Sequence, residues 1–277
     1  MKINYHTHST FCDGKNTPEE MILAAIEKKF DILGFSGHSM FPFAETWHIS
    51  PKKHLQYVNT INNLKEKYKN QIIIQLGFEV DYLPPLCTPK KENFKEFNPD
   101  FLIGSVHYIA TKDGYYSVDD ATENVKKGLN NLYNGNGKKA VCEYFDAERE
   151  MIEHGDFDIL GHPDVIRKRN GSLNFFNENE SWYRKELIAT AKKIAKKEII
   201  VEINSGAIAR KAMDDFYPSQ EFLAILHDYN IPVIINSDAH SAEFLDCAFD
   251  RATALIKKIG YTEIAYPING NIKFVKI

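Results

Sequence analysis

Seven times along this chain of 277 residues, a short and nearly continuous apolar run gives way to a longer amphipathic or loop segment. The runs occupy residues 2–6, 32–36, 72–78, 101–106, 157–161, 199–204 and 232–236. Each has the length of a strand, and a run that is apolar on both faces belongs in a parallel sheet covered on both sides. The segments between them carry helix signals. Thr17-Pro18-Glu19-Glu20 is a capping box with proline at the first helical position, predicting a helix that ends near Lys29. Ser50-Pro51 opens another that reaches residue 69, and further helices are expected over 180–197, 219–229 and 241–259. Repeated β-then-α units close into a parallel barrel or wind into an open sheet with helices on both faces.

One connection breaks the rhythm. Residues 108–156 form a long crossover with two expected helices, 119–133 and 138–154, joined by the turn Asn134-Gly135-Asn136-Gly137. An insertion of this length at one end of a barrel is expected to act as a lid or a substrate wall. The sequence has no internal repeat, low-complexity tract or dividing linker, so one α/β domain over residues 1–277 is expected.

Composition excludes several classes of function. With 43% hydrophobic and 26% charged residues, the chain has the profile of a globular protein. Its longest apolar runs, such as residues 72–74 and 231–235, are far too short to span a bilayer, so no membrane partner is expected. A formal charge of −4 argues against a nucleic-acid-binding surface. The first residues turn polar at Tyr5-His6 without an apolar core, which predicts no secretory signal. Cys12, Cys87, Cys142 and Cys247 are scattered, as expected of reduced thiols in a cytoplasmic protein.

The residues that follow each run constrain function most. His6, His8 and then Asp13 follow the first, His38 the second, Glu79 ends the third, His107 follows the fourth and His162 the fifth. The sixth ends in Asn204, and the seventh leads to Asp238 and His240. In a parallel barrel all strand C-termini open on one face, so these distant residues would converge on one mouth. Six of the ten histidines occupy such positions, while His48, His54, His154 and His227 are expected at the surface or at helix ends. Neutral imidazoles and carboxylates are ligands for borderline cations such as zinc, manganese or iron. Nine such side chains (His6, His8, Asp13, His38, Glu79, His107, His162, Asp238, His240) exceed the needs of one ion. They predict two to three divalent transition-metal ions, with Glu79 as a bridge. Residues two apart share a face of a strand, which lets His6 and His8 reach one ion.

The ordered set His6-Thr7-His8, His38, Glu79, Ser105-Val106-His107, Gly161-His162-Pro163-Asp164 and Ser237-Asp238-Ala239-His240 resembles the PHP (polymerase and histidinol phosphatase) superfamily of metal-dependent phosphoesterases. The resemblance spans nearly the whole chain. It implies a distorted (β/α)7 barrel with a metal cluster at the C-terminal face of the strands. It also implies that His6, His8, Glu79 and Asp238 hold a first ion, which Glu79 bridges to a second held by His107 and His162. Asp13, His38 and His240 would hold a third. Asp13 differs from some members, which place a histidine there, and its oxygen makes that site harder.

Within the superfamily the chain is most similar to the stand-alone histidinol-phosphate phosphatases, which share its length and a helical insertion after the Ser-Val-His strand. That similarity implies a metal-dependent phosphomonoesterase that converts L-histidinol phosphate, a small-molecule substrate, to L-histidinol and phosphate in histidine biosynthesis. Arg210, after the sixth strand, would bind the phosphate, with Arg167 of the basic cluster Arg167-Lys168-Arg169 as a second candidate. Asp238, His240 and Arg210 are the candidate catalytic residues. Residues 40–43 and Tyr115-Tyr116 are candidates for a wall against an imidazole ring. Two alternatives stay open: a phosphoesterase of the same type acting on another small monoester, nucleotide or phosphotyrosine, and a non-catalytic metal-binding module.

Overall fold

The computed structural model describes residues 1–43 and 46–277. The seven expected strands form as β1 (Ile3–Asn4), β2 (Ile32–Ser39), β3 (Ile73–Asp81), β4 (Phe101–Ser105), β7 (Ile159–Leu160), β8 (Ile200–Asn204) and β9 (Val233–Asn236). They make one parallel sheet in the order β1-β2-β3-β4-β7-β8-β9. Its two ends meet through the parallel bridge Thr7–Ala239, where the His8 N–H donates to the Ala239 carbonyl at 2.9 Å. The sheet therefore curls into a nearly closed barrel, with every strand C-terminus on one rim.

Ring packing fills the interior. The Tyr5 and Phe101 rings meet edge to face at 4.9 Å. A Cβ on Gly77 would lie 2.5 Å from the Phe101 ring, so only glycine leaves room for that side chain. Helices α1 (Pro18–Glu27), α2 (His54–Tyr68), α6 (Ser181–Ile194), α8 (Gln220–Asp228) and α9 (Phe249–Ile259) are connected in sequence with these strands. The capping box of α1 is formed: the Thr17 hydroxyl accepts from the Glu20 N–H at 3.3 Å, and Glu20 accepts from the Thr17 N–H at 2.8 Å. Such a cap contributes about 1 kcal/mol.

Three local expectations need correction. The helix expected from residue 241 begins only at Phe249, because Ala248 adopts a left-handed conformation (φ 58°) that interrupts it. Ahead of it, Asp246 is drawn to Lys2 and Lys28, each at 2.7 Å. The crossover holds its two helices, α3 (Thr122–Tyr133) and α4 (Gly137–His154), but opens with an unforeseen hairpin, β5 (Tyr108–Thr111) and β6 (Gly114–Ser117). A second unforeseen hairpin, β10 (Glu263–Ile268) and β11 (Asn271–Lys276), follows α9, and the Tyr5 hydroxyl donates to its Pro267 carbonyl at 2.6 Å. Short helices α5 (Asn170–Leu173) and α7 (Gly206–Ala209) complete the fold. No helix among the described residues is long and apolar enough to cross a membrane. The four cysteines are free.

Candidate metal centre

The nine side chains singled out above meet at the carboxyl rim in overlapping groups. In the first group, His6 Nε2 lies 3.0 Å and His8 Nε2 3.5 Å from Glu79 Oε2. The same two nitrogens are 3.7 and 3.2 Å from Asp238 Oδ1. The other Glu79 oxygen faces a second group, with His162 Nε2 at 2.7 Å and His107 Nε2 at 3.5 Å. Those two ring nitrogens approach each other to 3.1 Å. A third, more open group sets Asp13 against His240 Nε2 at 3.1 Å, His38 Nε2 at 3.7 Å and His8 Nδ1 at 3.9 Å. His38 also presents its Nδ1 to Glu79 Oε2 at 2.8 Å, so Glu79 touches every group.

The nitrogens on the far side of these rings explain why the near ones are bare. Glu202 accepts from His6 Nδ1 at 2.9 Å, and Asp81 accepts from His107 Nδ1 at 2.8 Å. His240 Nδ1 lies 3.0 Å from the Asp238 carbonyl. Glu202 and Asp81 thus each hold the Nδ1–H of their ring and turn its Nε2 inward, while His240 Nδ1 also lies 3.1 Å from the Arg210 guanidinium. His6 Nε2, His8 Nε2, His38 Nδ1 and Glu79 Oε2 are buried and have no hydrogen-bond partner among the described residues. Leaving one such atom unsatisfied costs about 1–3 kcal/mol. Four of them pointing at one another fit the donor shell of divalent cations and little else. The separations match as well, since tetrahedral ligation at roughly 2.0–2.1 Å sets donor atoms about 3.4 Å apart.

Electrostatics pairs acids with bases across the cluster: although burial opposes their charge, Glu202 and Glu79 hold His6, and Asp81 holds His107, well above the ordinary imidazole value. Burial opposes charge on Glu79, yet His6 and His38 hold its carboxyl well below the usual range. Burial, reinforced by the neighbouring His240 and His38 rings, keeps His8 well below its ordinary value and so neutral. At Asp238 burial is outweighed by Arg210 and His6, which hold the group ionised.

The rim opens into a cavity of about 460 Å³ lined by Asp13, His38, His107, His162, Asp238 and His240 on the ligand side. Its other walls carry Trp47, Tyr108, Asp119, Lys168, Arg210 and Tyr217. Arg210 reaches it directly: its Nη2 donates to Asp238 Oδ2 at 2.8 Å and its Nη1 to the Asp238 carbonyl at 3.1 Å. Arg167, the second candidate for the phosphate, sits elsewhere. Its buried guanidinium donates to Glu178 at 2.6 Å, Asp215 at 2.8 Å and the Phe216 carbonyl at 3.2 Å. It ties the turn after β7 to the loop before α8. The neighbour that does face the cavity is Lys168, paired with Asp119 at 2.8 Å. The aromatic expectation also shifts. Phe41 packs on His54 and Phe97, Tyr116 is core and Tyr115 is exposed, while Trp47, Tyr108 and Tyr217 supply the wall.

Of the histidines expected at the surface or at helix ends, His54 stands at the start of α2 and His48 in the loop before it, and both are buried. His54 Nε2 meets Ser39 Oγ at 2.8 Å, and His48 Nε2 meets Asp81 Oδ2 at 2.6 Å. Glu202 and Asp81 were not anticipated as parts of the site, although a period of two was there to show both. Asp81 shares the face of Glu79 on β3, and Glu202 is a charge inside the otherwise apolar run Ile200-Val201-Glu202-Ile203.

A parallel barrel with imidazoles and carboxylates clustered at its C-terminal rim defines the class as α/β-barrel proteins with a candidate metal-binding cluster. Sequence comparison places the chain more narrowly. It belongs to the PHP domain family, whose model matches residues 4–206. It is 27% identical over 282 residues to a fission yeast (Schizosaccharomyces pombe) protein named "Probable histidinol-phosphatase", covering 95% of this chain and 89% of that one. The histidinol-phosphatase of Lactococcus lactis is 24% identical over 272 residues, covering 95% and 93%. A solved structure of the Lactococcus histidinol phosphate phosphatase, complexed with zinc, L-histidinol and phosphate, superposes with a TM-score of 0.73 at 23% identity over 98% of each chain.

Proposed function

We propose that the protein is a histidinol-phosphatase, hydrolysing L-histidinol phosphate to L-histidinol and phosphate in histidine biosynthesis. The observation that carries this reading is the complete ligand set facing a cavity sized for a small monoester, in a chain whose full-length relatives bear that name. The residues that would hold the ions are His6, His8, Glu79 and Asp238, then Glu79, His107 and His162, then Asp13, His38 and His240. Two to three divalent ions of the zinc, manganese or iron type, when bound, supply Lewis acidity toward the phosphoryl oxygens and lower the pKa of a water.

The chain's own groups do the rest. Arg210 keeps N–H donors beyond those given to Asp238, and its planar fork suits two phosphoryl oxygens. Lys168, at the cavity wall, adds a second positive charge. Asp238 and His240 border the cavity beside Arg210, and to this pair we assign the orienting of a water that protonates the leaving alkoxide. Trp47 and Tyr108 lie nearly parallel (28°) with centroids 6.1 Å apart and offer flat apolar surface to an imidazole. Asp119 provides a carboxylate for the substrate's amine. Although burial opposes its charge, Lys168 holds it below the usual range.

The test is phosphate release by metal-loaded protein from histidinol phosphate, p-nitrophenyl phosphate and nucleoside monophosphates. The expected kcat/KM favours histidinol phosphate by about two orders of magnitude, or about 3 kcal/mol of differential transition-state binding. Equal values across the panel would assign the cavity to small monoesters in general.

A further inference from the structure

Asp81 does more than hold one ligand. Its Oδ1 accepts from His107 Nδ1 at 2.8 Å and its Oδ2 from His48 Nε2 at 2.6 Å, and all three side chains are buried. The two contacts use one oxygen each, so the carboxylate is held from both sides like a strut. His48 comes from the loop between β2 and α2, and its buried Nδ1 has no hydrogen-bond partner among the described residues. Trp47, the next residue back, lies over the His48 ring at 3.7 Å between centroids. The Trp47 indole meets the His38 and His107 rings edge-on at 4.5 and 5.3 Å and donates to the Tyr108 hydroxyl at 3.1 Å.

From this chain of contacts we infer that His48 is a positioning residue that acts through Asp81 on His107, and that the same strut ties metal binding at His107 to the Trp47 wall of the substrate cavity. The inference rests on the metal-centre reading above. Without the His48 N–H, one Asp81 oxygen is left bare in a buried place. The carboxylate is then free to turn, and His107 loses the acceptor that fixes its tautomer. Losing such a partner behind a ligand histidine costs 10- to 100-fold in metal affinity in general.

The test titrates chelator-stripped protein with zinc, reading ions bound per chain by equilibrium dialysis and Trp47 emission in a Trp182→Phe background, which leaves Trp47 as the single tryptophan. The unaltered relay should bind zinc with a change in Trp47 emission. His48→Leu should weaken zinc at the site holding His107 about 10- to 100-fold and flatten the emission response. Asp81→Asn should do the same. His48→Gln, whose amide N–H can stand where Nε2–H does, should restore both. If His48→Leu does not fold, His48→Asn takes its place, since its shorter amide falls short of Asp81. Zinc binding and emission equal to wild type in His48→Leu or His48→Asn would overturn the inference. A wild-type chain that binds no zinc would instead overturn the metal-centre reading beneath it.

Discussion

Glu79→Gln is expected to lower kcat/KM for histidinol phosphate by about three orders of magnitude or more, roughly 4 kcal/mol of transition-state stabilisation. Ion content should fall with it. The two Glu79 oxygens face different groups, one toward His162 and His107, the other toward His6, His8 and His38. An amide keeps the shape but replaces one oxygen with an N–H donor aimed at imidazole lone pairs. Whichever way the amide turns, one group loses its anionic oxygen. Ser105 Oγ, which donates to Glu79 Oε1 at 2.7 Å, favours keeping the carbonyl on the His107 and His162 side. Circular dichroism should match wild type, because the volume is unchanged. Near-normal turnover with a full ion complement would remove Glu79 from the centre.

Glu202→Ala carries the other large effect, and on stability. Glu202 is completely buried and accepts from His6 Nδ1 at 2.9 Å, Asn204 Nδ2 at 2.8 Å, Asn236 Nδ2 at 2.9 Å and the His162 N–H. Alanine strands all four donors and opens a cavity under β1 and β9. Breaking a buried charged network in this way costs about 3–5 kcal/mol. Urea denaturation with chelator present isolates this cost from metal binding, and the midpoint should drop accordingly. An unchanged midpoint would mean that water or repacking replaces the carboxylate.

Much of this site was legible in the chain because parallel-strand geometry is simple. A buried strand shows as an apolar run, and whatever follows it lies on the rim, so His6, His38, Glu79, His107, His162 and Asp238 could be gathered before any fold was known. The seven-stranded barrel was legible for the same reason. The supporting shell was harder to read. Asp81 and Glu202 stand out as charges on buried strands, but their roles follow from their partners, since His48 reaches Asp81 from a loop 33 residues away and His6 is 196 residues from Glu202. The basic cluster misled because charge alone does not reveal direction: along one turn, Arg167 points into a cage of acids while Lys168 points to the cavity. Both hairpins escaped notice because their strands alternate weakly; β5 follows directly on β4 and β10 on α9.

If the rim is a metal centre on which monoester hydrolysis depends, metal content and activity must rise and fall together. Protein purified without chelator should contain about two to three transition-metal ions per chain by elemental analysis. Stripping them should abolish release of phosphate from histidinol phosphate, and adding zinc, manganese or iron(II) back should restore activity in step with the ions bound. Full activity in protein carrying no such ions would contradict the account.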